Sequence, residues 1–531
     1  MTRHKLRKEA GPIGLLYASL GGMIGSGWLF GALHAAKLAG PLSIWSWVIG
    51  AVAVLLLALV YSELVTLLPK SGALVHLSHL SHGDLLGRIW GWILFLGYVS
   101  IAPVEVMAVL TYTNNYLPGM VQPQTGLLTH LGFVVAIVFL ALIVTLNLLA
   151  IRWVLWINSA VTWWKIAVPV LTVVVLLAYS HHPENLHAAA GHYEISGIFT
   201  AVASAGVIFS FLGFRQAIDL AGETDNPARN IPLAVIGSVV IAAVIYIGLQ
   251  FAFLLALNPA DIGNDWRTLH FEGVSGPLAA LSVSVGATWW AIVLYADAIA
   301  SPTGTGFIYS TASSRITMAG GEMHTLPRSL AEVNARGVPL RALIVTFVAG
   351  AIFFFPFPSW QKLVSYISSV TVLSYGLGPI VLLHLRRTVP DAPRAFRLGW
   401  AWLVAPAAFV ISNWIILWTG FKTANVLFGM IALMFVTYTA YHYLFKRGPR
   451  GPFGWPQIAW VFPYFGGLWL LLYYGPPVLG GNGTLGFGMD MLLSAVFSVL
   501  IMALAVATGV PAETSSDYLA QMTSEAEEAA P

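Results

Sequence analysis

Three charged residues lie inside long apolar stretches of the sequence, where a lipid bilayer offers no water to solvate them. Lys165 lies in TWWKIAVPV, Arg215 follows FLGF, and Asp297 lies in LYADAIASPTG. A charged side chain at that depth is costly unless it is paired, hydrogen-bonded or able to exchange a proton. The chemistry that these residues favour is therefore proton coupling, or gating of a path across the membrane.

The sequence leaves more than one interpretation open for each of the three. Burial disfavours the charged form of a lysine, so Lys165 can carry a coupled proton or remain a fixed structural cation. Arg215 can recognise a second carboxylate on an acidic substrate, or pair with Asp219 four residues later on the same helical face, and the spacing favours the pair. Asp297 can partner Lys165 or Arg215, or accept a proton itself.

Two apolar segments contain glycines where a membrane helix would otherwise continue. Residues 21–31 read GGMIGSGWLFG, and residues 207–214 read VIFSFLGF. Glycine weakens a helix interior by about 1 kcal/mol per residue. The amides freed at bilayer depth must then face protein, a cavity or a ligand. Close helix packing of the GxxxG type would also explain the first segment alone, but the pairing with the second favours a binding site.

A broken helix offers two kinds of polar group to a solute. Its N-terminal amides favour a carboxylate, and its C-terminal carbonyls favour an ammonium group. Interrupted segments in corresponding positions of two halves are typical of inverted-repeat transporters, whose substrates bind near the midplane. The two segments together therefore predict a site for a zwitterion.

The elements that position these residues are predicted to be membrane helices. The chain has 531 residues, of which 58% are hydrophobic and only 9% are charged, whereas a soluble domain carries about 25% charged residues. We predict an all-α integral membrane protein with about fourteen spans of roughly 20 residues. These spans lie near 12–36, 41–68, 89–117, 129–150, 155–180, 197–221, 233–258, 278–311, 339–358, 363–387, 399–421, 424–446, 456–479 and 489–509.

Basic residues predict the orientation and help to divide the chain. Most of the 25 Lys and Arg residues fall on one side of the predicted spans, so we expect both termini to be cytoplasmic. The predicted divisions are a cytoplasmic N-terminal segment, two five-helix repeats, four additional helices and a disordered acidic cytoplasmic tail. Their respective bounds are 1–11, 12–180, 197–387, 399–509 and 510–531.

Five ordered motifs over residues 11–400 resemble those of the amino acid–polyamine–organocation (APC) superfamily of permeases. GGMIGSGWLFG resembles the first-helix GxxIGxGIF segment, and FSFLGFRQAIDLAGETDNPARNIPLA resembles the sixth-helix and loop pattern. The other three are YSELVTLLPKSGALVHL, SSRITMAGGEMHTLPRSLAEVNARGVPLRAL and LRRTVPDAPRAFRLG. The resemblance implies a LeuT-type fold of five plus five inverted helices, with helices 1 and 6 discontinuous. Four helices after residue 399 exceed the usual two and leave homo-oligomerisation open.

The resemblance also implies roles for individual residues. A substrate carboxylate would meet backbone amides and a hydroxyl at Ile24, Gly25, Ser26 and Gly27. The opposite side of the site would consist of Phe209, Ser210, Phe211, Leu212 and Gly213, with one of the two phenylalanines acting as a lid unless both are packing residues. Lys165 stands where sodium-coupled relatives keep a cation.

Two intramembrane carboxylates complete the set of charged candidates. Glu63 matches the acid of the second helix in the resembled family and is predicted to be structural. Glu105, beside Pro103 in the third span, receives no role from the sequence. Both qualify for attention because acidic residues are rare inside membrane spans.

The predicted function is import of an amino acid or related amine across the cell membrane by alternating access, with proton symport. An exchanger that needs no coupled ion and a non-transporting sensor of the same fold remain as alternatives. The chain lacks a channel filter such as TVGYG and the concentrated acid, histidine or metal constellation of an intramembrane enzyme. No cofactor or metal is expected, and a net charge of +3 is too small to indicate nucleic-acid binding.

Overall fold

The structure is a computed structural model in which every regular element of the described residues is helical. It describes residues 11–68, 73–122, 125–148, 151–187, 195–221, 224, 226–263, 265–271, 276–322, 326–334, 338–445 and 454–528. Within these ranges there is no β-strand. The predicted all-α class is confirmed.

The helices follow one another with short connections. The first group is α1 Pro12–Met23, α2 Gly27–Ala39, α3 Ser43–Leu67, α4 Ala73–Val99, α5 Ile101–Thr113, α6 His130–Leu146 and α7 Ile151–Tyr179. The second is α8 Ile195–Ser204, α9 Val207–Phe211, α10 Gln216–Asp219, α11 Pro227–Ala256, α12 Pro259–Ile262, α13 Pro277–Ser284, α14 Thr288–Glu322, α15 Leu340–Ile352 and α16 Trp360–Thr388. The third is α17 Ala401–Trp418, α18 Phe421–Ala440, α19 Trp455–Ile458, α20 Val461–Tyr474, α21 Phe487–Thr508 and α22 Ala512–Glu528.

Membrane-length helices dominate the described part of the chain. Nine are long and apolar enough to cross a bilayer, or ten if the bent pair Ile195–Ser204 and Val207–Asp219 forms one span. The chain is therefore a multi-pass membrane protein. Three shorter apolar helices, α1, α6 and α15, also fall at predicted spans, and the total of fourteen stays a prediction.

The helices that hold the charged residues pack around α1. α1 contacts α7, which holds Lys165, and α14, which holds Asp297. It also contacts the 3-10 turn Leu212–Arg215 that joins α9 to α10. α5, which holds Glu105, packs along α14. The charged side chains therefore converge on the first interrupted segment from several sides.

The helices after residue 399 cover one side of this bundle. α17 packs on α16 and α3, α21 packs on α17, and α18 packs on α16 and α20. The division into two five-helix repeats followed by four additional helices stays a prediction.

The acidic tail differs from its predicted disorder, because residues 512–528 form α22. The Val510 amide donates to the Ser81 carbonyl at 2.9 Å, and the Ser515 hydroxyl donates to the Leu80 carbonyl at 3.2 Å. Ser515 and Met522 are buried. The tail composition is poor in apolar residues, but those present recur at helical spacing and pack together on α4 and α16.

Candidate functional site

The first interrupted segment leaves helical geometry for three residues. α1 ends at Met23, Ile24 has φ −84° and ψ 82°, and α2 begins at Gly27. The Ile24 amide donates to the Leu20 carbonyl at 2.9 Å, and the Gly25 amide donates to the Met23 carbonyl at 3.0 Å. Two of the amides that we expected to meet a substrate are thus engaged within the segment itself, because a break at bilayer depth must satisfy its own backbone.

Glycine is required here because other side chains approach the backbone closely. A Cβ atom at Gly25 would collide with the Glu105 carboxylate, and one at Gly27 would collide with the Ser210 hydroxyl. The glycines therefore admit polar groups from α5 and α9 to the break.

The second interruption separates α8 from α9. The two helices meet at a bend of 49°, and Gly206 between them has φ 93°, a conformation that favours glycine. A Cβ atom there would also lie 2.8 Å from the Trp360 ring. The bend falls just before the predicted segment 207–214, not within it.

Two aromatic side chains join the interruptions. The Tyr246 hydroxyl lies 3.2 Å from the carbonyl oxygens of both Met23 and Ser210. The Trp360 indole donates to the Ser26 hydroxyl at 2.9 Å, although the sequence gave no reason to select Trp360. The two broken segments therefore form one polar junction, which we call the central junction and define by residues 21–27 and 206–210.

Lys165 reaches the central junction from α7. Its ammonium group donates to the Gly21 carbonyl at 2.8 Å and to the Thr305 hydroxyl at 2.7 Å. The side chain is buried, with 1% exposed. Thr305 in turn lies 3.4 Å from the carbonyls of Gly21 and Ile24. Lys165 therefore ties the end of α1 to α14.

Glu105 is the residue that sequence reasoning left without a role. Its Oε2 atom accepts a hydrogen bond from the Ser26 amide at 2.9 Å. Its Oε1 atom is buried and has no hydrogen-bond partner among the described residues. A carboxylate of the chain itself thus occupies the amide that we expected to bind a substrate carboxylate. An acid inside a span was the signal, but its partner, 79 residues away, could not be read from the sequence.

The structure distinguishes the surroundings of the two candidate lid residues. Phe209 lies edge-on to Trp360, with ring centres 6.2 Å apart. Phe211 is fully buried against Trp47 and Tyr246. Phe209 therefore lies beside the central junction, whereas Phe211 packs behind it.

The other three residues expected on this side serve packing and backbone contacts. The Ser210 hydroxyl donates to the Gly206 carbonyl of its own turn at 2.8 Å. The Leu212 carbonyl accepts from the Tyr375 hydroxyl at 2.9 Å. A Cβ atom at Gly213 would run into the backbone of Gly22, so glycine allows the second segment to lie directly on α1.

Asp297 does not form either of the ion pairs considered for it. Its Oδ1 atom accepts from the Ser301 hydroxyl at 2.6 Å, and its buried Oδ2 atom has no hydrogen-bond partner among the described residues. Within the described part of the chain, neither Lys165 nor Arg215 forms a salt bridge with it. One helical turn separates Asp297 from Ser301, and this local contact replaces the expected long-range pair.

Comparison with known proteins relates the whole chain to amino acid transporters. It is 36% identical to a glutamate/serine transporter of Bacillus subtilis over 530 residues, which cover 97% of this chain and 96% of the relative. It is 31% identical to an aspartate–proton symporter of the same organism, over 95% of this chain and 97% of the relative. A branched-chain amino acid permease of that organism is 25% identical over 79% of this chain and 89% of its own length.

The family comparison covers both interruptions and the charged residues around them. The profile described as "Amino acid permease" matches residues 11–446. Family and relatives alike are transporters and not enzymes, which agrees with the resemblance found in the five sequence motifs. The chain belongs to the amino acid permease family.

Proposed function

We propose that this protein is a secondary transporter that imports an amino acid across the cell membrane by alternating access, coupled to proton entry. The observation that carries the proposal is the central junction, where two interrupted segments meet beside a buried lysine and a buried glutamate. Paired breaks near the midplane are the arrangement that transporters use to bind small zwitterions. Both termini are taken to face the cytoplasm, as the distribution of basic residues predicts.

The substrate carboxylate is proposed to take the place of Glu105 at the Ser26 amide. The amides of Ile24 and Gly25 bond to neighbouring carbonyls of the backbone, whereas the Ser26 amide bonds to a side chain that can move. Carbonyls of the second interruption would receive the amino group, and Phe209 beside Trp360 would act as the lid.

Proton coupling follows from this exchange. A proton on Glu105 removes the negative charge that the Ser26 amide stabilises, so protonation weakens the bond that the substrate must replace. The neutral acid can then leave the amide while the substrate carboxylate binds there. Lys165 stays beside the same break on the Gly21 carbonyl and compensates the charge of whichever carboxylate is bound.

The relatives support both parts of the proposal. One is named for transport of glutamate and serine, and another is named as a proton symporter of aspartate. Glutamate, aspartate and serine are therefore the first substrates to test.

Uptake into proteoliposomes tests the proposal. We expect an imposed proton gradient to drive accumulation of at least one of the three amino acids, and an ionophore that collapses the gradient to abolish it. Lys165→Ala should lose this uptake, because Gly21 and Thr305 lose their shared donor. Lys422→Ala, at an exposed lysine of α18, is the matched control and should transport normally.

An exchanger is the second candidate, and one observation favours it. Lys165 makes two short hydrogen bonds, as expected of a fixed cation that never releases a proton. Counterflow of labelled amino acid at equal rates with and without a gradient would select exchange over symport. Binding without any flux would contradict both and leave a sensor of the same fold.

A further inference from the structure

The Arg215 side chain lies on the segment that follows the second interruption and packs directly on α1. The Ser19 hydroxyl donates to the Phe214 carbonyl at 3.0 Å and accepts from the Ala217 amide at 3.2 Å. These two bonds fix the backbone on both sides of Arg215 against the helix that ends at the central junction. The position of Arg215 relative to that junction is therefore set by backbone contacts.

The guanidinium group is buried and has unused donors. Its side chain is 1% exposed, and none of its three nitrogen atoms has a hydrogen-bond partner among the described residues. The Cζ atom lies 4.3 Å from the ring centre of Tyr98 and 5.3 Å from that of Tyr375. Aromatic faces stabilise the cation, but they leave the N–H groups in the guanidinium plane without acceptors.

Asp219 offsets the charge of Arg215 without taking up its donors. The nearest approach joins Arg215 Nε and Asp219 Oδ1 at 3.9 Å, which is too long for a hydrogen bond. The other carboxylate oxygen of Asp219 accepts from the Tyr98 hydroxyl at 2.5 Å. The expected i,i+4 pair is therefore loose, and Asp219 is held by a tyrosine instead.

A carboxylate is the ligand that the unused donors fit. The planar fork of arginine binds carboxylate oxygens in pairs, with geometry that lysine cannot reproduce. A buried cation without hydrogen bonds is costly, and an anion that completes them is correspondingly favoured. The ligand must also reach Arg215 from the transport path.

Contacts connect Arg215 to the central junction. The Tyr375 hydroxyl, whose ring lies beside the guanidinium, donates to the Leu212 carbonyl at 2.9 Å. Gly213 lies on the backbone of Gly22, directly before the break in the first segment. A solute with one carboxylate at the Ser26 amide thus has Arg215 as the neighbouring cation along the second segment.

We propose that Arg215 binds the side-chain carboxylate of an acidic amino acid and so selects glutamate or aspartate over neutral amino acids. This inference rests on the proposed transport function and names the substrate class of the same site. It differs from a gating role, in which Arg215 and Asp219 would act as a pair and affect every substrate alike.

The test compares glutamate with serine in the same variants. Arg215→Gln should lower the ratio of glutamate uptake to serine uptake by about tenfold or more, because a hydrogen bond to a charged group is lost. Arg215→Lys should lower it less, since the charge remains but the fork is gone. Asp219→Asn should keep the ratio, and so should Arg341→Gln at an exposed arginine.

Several outcomes would overturn the assignment. Equal losses of glutamate and serine uptake in Arg215→Gln and Asp219→Asn would identify a gating pair. If Arg215→Gln does not fold, an unchanged ratio in Arg215→Lys would overturn the inference on its own.

Thermal stabilisation of the purified full chain separates this inference from the transport proposal. Wild-type protein that glutamate stabilises but does not cross the membrane with would contradict transport alone. Wild-type protein that neither glutamate nor aspartate stabilises would overturn the role of Arg215, even if serine were transported.

Discussion

Two clusters of buried charge in this protein differ in how completely their hydrogen bonds are made. The first surrounds Glu63, whose Oε1 and Oε2 atoms accept from Arg386 at 2.9 and 2.6 Å. The Leu398 amide donates to Oε2 at 2.7 Å, and Arg394 lies 3.2 Å from Oε1. Both guanidinium groups also donate to backbone carbonyls.

The second cluster lies around the central junction and keeps unused polar atoms. Glu105 and Asp297 each have one buried oxygen without a hydrogen-bond partner in the described part of the chain, and Arg215 has three such nitrogen atoms. A network in which every group is satisfied stabilises one structure, whereas unsatisfied groups favour a change of partner. The comparison therefore separates a structural charge cluster from a functional one, although both are buried at membrane helices.

The largest expected effect comes from breaking the satisfied cluster. Glu63→Ala leaves two arginines without their shared carboxylate, and removal of one partner from a buried ion pair costs about 3–5 kcal/mol. We expect a large fall in the midpoint of thermal unfolding, measured on protein in detergent. Glu332→Ala is the control, because Glu332 and its partner Arg341 are mostly exposed and such pairs contribute about 0–1 kcal/mol. Equal stability of the two variants would remove the distinction between the clusters.

An intermediate effect, confined to transport, is expected at Glu105. Glu105→Gln keeps the size of the side chain and an oxygen that can accept from Ser26, so stability should change by less than about 1 kcal/mol. The variant cannot exchange a proton at this position. Uptake driven by a proton gradient should therefore be largely lost, whereas counterflow without a gradient should continue. A gradient response equal to that of the wild type would exclude Glu105 from coupling.

The smallest effect is expected at the docked tail, which shares neither cluster. The Tyr518 ring lies 4.7 Å from the His79 ring on α4, and a contact between rings contributes about 0.5–1.5 kcal/mol. Tyr518→Ala should release α22 without unfolding the bundle, which limited proteolysis of the tail would detect. Asp517→Asn, at an exposed position of the same helix, should leave the cleavage rate unchanged. Slower cleavage in Tyr518→Ala than in the wild type would contradict docking through this contact.

The sequence alone determined the class of protein, the family resemblance and which segments would hold the site. Low charge and long apolar spans predicted a multi-pass membrane protein, because a bilayer selects for these features locally. The glycines of 21–31 predicted the first break, since an interrupted helix follows from residues that are adjacent in the chain. For the same reason, Lys165 and Arg215 were recognisable as charges out of place.

Only the tertiary structure decided which groups meet. Lys165 bonds to Gly21 across 144 residues, and Glu105 bonds to Ser26 across 79. Asp297 bonds to Ser301 and forms no ion pair with Lys165 or Arg215, and the acidic tail folds as a helix on α4. Periodicity and composition report how buried a position is, whereas a hydrogen-bond partner depends on the packing of helices that are distant in the chain. That packing is a property of all the helices together, so no single segment of the sequence contains it.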